Sequence, residues 1–171
     1  KKKVLQLIEE ISDGNGLTDD PDIKAKLNSV INQVQFELAR MKKIPAREVE
    51  KITSSSFEYE LTSLPEFYQL DNVRFVDVLG DPAEVFIFGN LAEFTTEGTA
   101  TFYYYKFPKR ITDTTDDTKY KFELSDDALE VLPYGVAADL LKSDVSANYG
   151  QIYAQRYETM LARLDSRTSM G

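Results

Sequence analysis

The hydrophobic period of this chain changes twice, and that change limits the fold more than any other feature. Ile23, Leu27, Val30, Ile31, Val34, Leu38 and Met41 recur at helical spacing and form one stripe along a helix. In the middle, Phe57, Tyr59 and Leu61 alternate with Ser56, Glu58, Glu60 and Thr62, the period of a strand with one wet face. Helical spacing returns through Val136, Ala137, Leu140 and Leu141, and again through Val145, Tyr149, Ile152, Tyr153, Met160, Leu161 and Leu164. Two apolar helix faces at opposite ends of a chain each need cover, and each other is the simplest cover. The expectation is therefore an α+β fold, with N- and C-terminal helices packed as a bundle and a central antiparallel β-rich part. It is read as a single domain over 1–171, helical over 1–45, with a β-rich insertion over 46–124 and helices again over 125–171.

Local signals place the elements. Val4, Leu7, Ile8 and Ile11 predict a short first helix, broken by Asp13-Gly14-Asn15-Gly16. Asp20 is the expected cap of the next helix, with Pro21 at its first position, and Pro45 should stop it near Lys43. Further strands are expected at 73–79, 85–88, 99–107 and 119–124, separated by Leu64-Pro65, Gly80-Asp81-Pro82, Gly89-Asn90 and Glu97-Gly98. The 99–107 strand is apolar on both sides through Phe102, Tyr103, Tyr104 and Tyr105, which predicts a central or doubly covered strand. Ser125 is the expected cap of a helix that Pro133 should break or restart, a tight turn follows at Ser143-Asp144, and residues 167–171 should fray.

Composition narrows the chemistry. The 171 residues include no Cys and no His, which removes thiol nucleophiles, zinc sites of the usual kinds, imidazole bases and every His-containing triad. Acidic side chains number 29 against 20 basic ones, a net charge of -9 that repels a nucleic-acid backbone yet suits a conduit through which DNA slides without sticking. No apolar run approaches the roughly 20 residues of a membrane span, and Lys1-Lys2-Lys3 leads into an amphipathic segment, so a soluble chain made inside the cell is expected.

Candidate carboxylate sites read as turns. Asp13-Gly14-Asn15-Gly16 with Asp19 and Asp20 has Leu17 and Lys24 where a calcium loop needs ligands. Asp113, Asp116 and Asp117 occupy a Thr-rich segment whose short polar side chains serve local hydrogen bonding. The pairs Glu58 with Glu60 and Glu9 with Glu10 lie on faces that read as wet, whereas paired-acid catalysis needs a cleft that splits their pKa values. No catalytic residue, cofactor or metal ligand is assigned, and chelators should leave stability unchanged. Contact candidates are Lys106, Lys109 and Arg110 around Pro108, and Tyr157, Arg163 and Arg167 on the last helix, because Tyr and Arg are favoured anchors at protein interfaces. Tyr149 and Tyr153 of the same every-fourth Tyr stripe are expected in the core.

The aromatic strand ending in Lys106-Phe107-Pro108, the polar 113–117 loop and the helix start Leu132-Pro133-Tyr134-Gly135-Val136-Ala137-Ala138 together resemble the head-to-tail connector, or adaptor, proteins of tailed bacteriophages and prophages. The likeness covers roughly the last 70 residues and extends to the rest by order of elements; the middle over 49–107 is richer in sheet than a minimal adaptor needs. The resemblance implies a non-enzymatic virion structural protein that forms a homo-oligomeric ring, joins portal to tail or neck proteins and lines the DNA conduit. It implies as partners the portal protein, tail or neck proteins and further copies of itself, with DNA passing through without specific binding, no membrane, and assembly into the virion in the host cytoplasm. The alternatives are a monomeric peptide- or sugar-binding module using exposed sheet aromatics, and a phage cell-wall hydrolase.

Overall fold

The computed structural model describes residues 21–116, 119–142 and 147–168. The expected first helix, the Asp13 loop, the Asp20 cap, the Glu9 and Glu10 pair, Asp117, the Ser143-Asp144 turn and the last three residues lie outside them. The described chain runs α1 (Pro21–Met41), β1 (Ile44–Ile52), β2 (Glu58–Glu60), a 3-10 turn (Leu61–Ser63), β3 (Phe67–Asp77), β4 (Val85–Phe88), β5 (Leu91–Phe94), β6 (Gly98–Lys106), α2 (Asp126–Leu140) and α3 (Ala147–Thr168). The fold class is mixed α+β, with helices on both sides of the strands in sequence. Two compact units divide the chain: the described residues up to Lys42 with those from Pro108 onward, and Lys43–Phe107.

In the helical unit, the α1 stripe is buried as the period requires, at Leu27, Val30, Ile31, Val34 and Leu38. Gly135 of α2 is where the three helices meet: a β-carbon there would lie 2.8 Å from Val34 Cγ1 on α1 and 2.7 Å from Tyr157 Cε2 on α3. Only a residue without a side chain lets the helices approach so closely. Pro133 does not interrupt α2, contrary to the sequence expectation; the helix runs unbroken from Asp126 to Leu140 with Pro133 inside it. Burial of Val131, Leu132, Val136 and Leu140 around it offsets the missing hydrogen bond, whose loss costs about 3 kcal/mol in a helix interior. Ser125 holds the N-cap position with extended backbone, but its side chain does not cap the helix backbone.

The stretch 119–124 is not a strand. Before it, Asn28, Asn32 and Gln35, four and three residues apart on one face of α1, bind alternate residues of the 109–113 segment. Asn28 Nδ2 donates to Asp113 Oδ1 at 2.8 Å, and Asn32 brackets Ile111 by donating to its carbonyl and accepting from its N–H, both at 2.7 Å. Gln35 Nε2 donates to the Lys109 carbonyl at 3.2 Å, and Tyr120 Oη, 3.1 Å from Gln35 Oε1, donates to the same carbonyl. Side chains of a helix thus supply the partners that a sheet would have given.

In the β unit, β1-β6-β3 and β2-β5-β4 form two antiparallel sheets. β6 is the central strand of its sheet, as its apolar run predicts, and buries Ala100, Phe102 and Tyr104 on one side. The sheets close face to face over an aromatic core: Phe94 meets Phe75 at 4.7 Å and Phe102 at 6.4 Å between ring centroids, and Tyr59 stacks on Phe102 at 4.8 Å. β4 and β5 join through Gly89-Asn90, with Gly89 at φ 59°, the left-handed conformation that a type II′ hairpin needs at its first turn residue. β1, β5 and the first half of β3 were not expected as strands, and the expected strand beyond Asp77 is a turn.

Candidate functional site

The sequence-contiguous basic cluster divides between the two units. Lys106 is the last residue of β6, paired with Ile44 and Phe67, and is half-buried in the β unit. Lys109 and Arg110 are exposed residues of the helical unit. The Lys109 backbone is engaged on both sides, its N–H donating to Glu123 Oε2 at 3.0 Å and its carbonyl accepting from Tyr120 Oη at 2.5 Å. The Arg110 guanidinium lies 4.6 Å from the Phe36 ring centroid, a cation–π contact within its own unit.

Two residues of the Tyr stripe, Tyr153 and Tyr157, face inward. Tyr153 is buried, with its ring 6.2 Å from that of Tyr134. Tyr157, expected as a contact residue, is half-buried beside Gly135 and donates its hydroxyl to Glu37 Oε2 at 3.1 Å. Burial first, and then the Glu37 carboxylate beside it, push the phenol well above its usual pKa. Both effects hold Tyr157 as a neutral structural strut between α1 and α3. The side chains of Tyr149 and Arg167 lie outside the described residues.

The outer face of α3 belongs to other residues. Ile152, Gln155, Arg156, Thr159, Met160 and Arg163 recur at helical spacing and, with Tyr134 of α2, line an open groove of about 520 Å³. Ile152 is 56 % exposed. Arg156 lies 5.5 Å from the Tyr134 ring centroid, which positions its guanidinium on the groove wall. Arg163, the contact candidate that the structure places on this face, also borders a smaller hollow with Asp127 and Glu130. The groove combines apolar surface with two guanidinium groups, a composition suited to an apolar and acidic protein partner.

The acid clusters take ordinary structural roles. Asp113 accepts from Asn28, and Asp116 pairs with Lys119 at 3.4 Å. Glu58 and Glu60 flank Tyr59 on exposed positions of β2, and Glu58 stands directly across from Glu93 of β5. Asp127 is held below the usual carboxylate range by a hydrogen bond with Ser125, then by Lys42 at 3.5 Å. Among the described residues no three Cys, His, Asp or Glu side chains converge on a metal-sized site.

Sequence reasoning missed Gln35, which is fully buried and joins α1 to Lys109 and Tyr120. Its position between Val34 and Leu38 in the apolar stripe was the available signal, since an uncharged polar residue at a core position must find partners. Ile152, counted in the inward apolar stripe of the last helix, is instead exposed, because helical spacing alone does not say which side of a helix meets its own domain. No protein-family model and no curated protein matches the chain.

Proposed function

We infer that the chain is a non-enzymatic structural subunit of a tailed-phage or prophage virion, a head-to-tail adaptor that forms a ring between portal and tail or neck proteins. The observation that carries this reading is the return of the chain: helices before and after the strands pack into one unit at Gly135, and the β unit is an insertion between them. The resemblance of the 103–164 stretch to adaptors implies that order of elements. The groove of α3 supplies a surface for the portal, with Ile152 as apolar anchor and Arg156 and Arg163 for carboxylates. The net charge of -9 fits a wall past which DNA slides.

Interruption of the gene in its phage or prophage, followed by electron microscopy of the lysate, tests the reading. DNA-filled heads without attached tails are expected, and the wild-type gene in trans should restore joined particles. Intact infectious virions without the protein would overturn it. In purified form, Ile152→Asp with Arg163→Glu should weaken portal capture at least about 30-fold, the equivalent of about 2 kcal/mol for interface anchors, with the circular dichroism spectrum unchanged.

A further inference from the structure

Four strands form the edges of the β unit, β1 and β3 in one sheet and β2 and β4 in the other. Three carry features that discourage addition of another strand. β1 has Pro45 and sets Glu48 and Glu50 on the same side as buried Ile44 and Ile52. β3 slips register between Phe67 and Gln69 and again between Leu70 and Asn72. β2 is three residues long, with Glu58 and Glu60 at its ends. β4 differs from all of them: Val85-Phe86-Ile87-Phe88 contains no charge, proline or bulge, and Phe86, Ile87 and Phe88 are 46, 41 and 65 % exposed.

Among the described residues the outer backbone edge of β4 is also without a partner beyond Ala83, whose N–H donates to the Phe75 carbonyl at 3.1 Å. Phe94 donates its N–H to the Phe57 carbonyl at 2.8 Å, so its polar groups turn away from β4, and Phe94 stands opposite Val85. Antiparallel alternation then directs the N–H and C=O groups of Val85 and Ile87 outward, away from β5.

We propose that β4 is a homotypic docking edge, at which two copies of this chain pair β4 against β4, antiparallel, about a two-fold axis through Ile87. A two-fold pair matches residues of the same face, so this register sets Phe86 opposite the partner's Phe88, Val85 opposite the partner's Gly89 and Glu84 opposite the partner's Asn90. The rings form two cross-strand aromatic pairs and no acid faces an acid. A second copy is therefore a partner without charge conflict at this edge, and the closed symmetry yields a dimer rather than a fibre. Covering Phe86, Ile87 and Phe88 removes roughly 300 Å² per copy, at 150–250 Å² for a whole large side chain. The total of about 600 Å² is below the 1,200 Å² of stable interfaces, so the pair is weak and forms at high concentration. The pairing rests on the β unit alone and is independent of the adaptor reading.

Sedimentation equilibrium and cysteine cross-linking test it. The weight-average mass should climb from 19.5 kDa towards twice that value as concentration rises, and more steeply at high salt, because two copies of charge -9 repel each other less when screened. The chain has no native Cys, so Ile87→Cys should form a disulfide dimer on mild oxidation, whereas Cys at Val49, 48 % exposed on the β1 edge, should yield at least several-fold less. Phe88→Lys should abolish the concentration-dependent mass increase. Ile87→Pro, whose lost N–H points out of the sheet, should do the same with an unchanged dichroism spectrum. A monomer at all concentrations, equal cross-linking at positions 49 and 87, or association that survives both folded variants would overturn the proposal. Association that disappears at high salt would also overturn it and would point instead to a basic partner segment. A ring that persists in Phe88→Lys leaves the adaptor reading standing and removes only this pairing.

Discussion

Replacing Gly135 with Ala tests the convergence of the three helices. In an isolated helix this substitution stabilises by about 1 kcal/mol, because Ala loses less backbone entropy than Gly. Here the new methyl would lie 2.7 Å from Tyr157 Cε2 and 2.8 Å from Val34 Cγ1, where carbon contacts are ordinarily about 3.5–4.0 Å. It is short by about 1 Å of both atoms, so α1 and α3 must each give way. Val34 is β-branched and stiff at χ1 on a helix, and Tyr157 is held by its bond to Glu37. Overpacking of this kind costs about 1–3 kcal/mol, which outweighs the gain in propensity and leaves a net loss of about 1 kcal/mol. Gly135→Val, with two further methyl groups and poorer helix propensity, should lose about 3 kcal/mol or more. Urea unfolding followed by the helix signal in circular dichroism measures both. A stabilised Gly135→Ala protein would refute the packing, because it would mean that the position is open and propensity alone acts there.

Gln35→Leu should cost about 1–2 kcal/mol, since it removes the bonds from Gln35 Nε2 to the Lys109 carbonyl and to Asn32 Oδ1 while Tyr120 and Lys109 stay paired with each other, and hydrogen exchange at residues 109–113 should rise with it. Gly98→Ala should destabilise the β unit by at least about 2 kcal/mol, because its β-carbon would run into the Val76 backbone carbonyl, which cannot swing aside; thermal melting of the variant checks this. Tyr157 has a raised pKa in the folded state, so its contribution is complete below the ordinary tyrosine value of about 10 and is lost as pH rises beyond it. Tyr157→Phe should flatten that alkaline fall in melting temperature. Asp127 has the opposite sign, with a lowered folded pKa: its stabilisation is present above about pH 4 and is lost as pH falls further, and Asp127→Asn should reduce the slope of acid unfolding.

The sequence alone determined the elements whose own residues carry a strong period. The α1 stripe is buried where it was expected from Leu27 to Leu38, and β6 is central because aromatic residues at successive positions leave no polar face for water. The Ser125 helix start and the Gly89-Asn90 hairpin were legible for a local reason, since acids such as Asp126 and Asp127 favour a helix's first turn and left-handed turns restrict residue type. Tertiary structure decided the rest. β1 escaped notice because its inward positions include Glu48 and Glu50, and only pairing with β6 over its whole length makes that charged segment a strand. α2 continues through Pro133 because neighbouring helices bury the residues around it, a stabilisation that no local propensity contains. The direction of Tyr157 towards Glu37, and of Ile152, Arg156 and Arg163 towards the groove, likewise depends on where α1 and α2 lie around α3. Hydrophobic period reports that a helix has two faces; packing against the other helices decides which face is left for a partner.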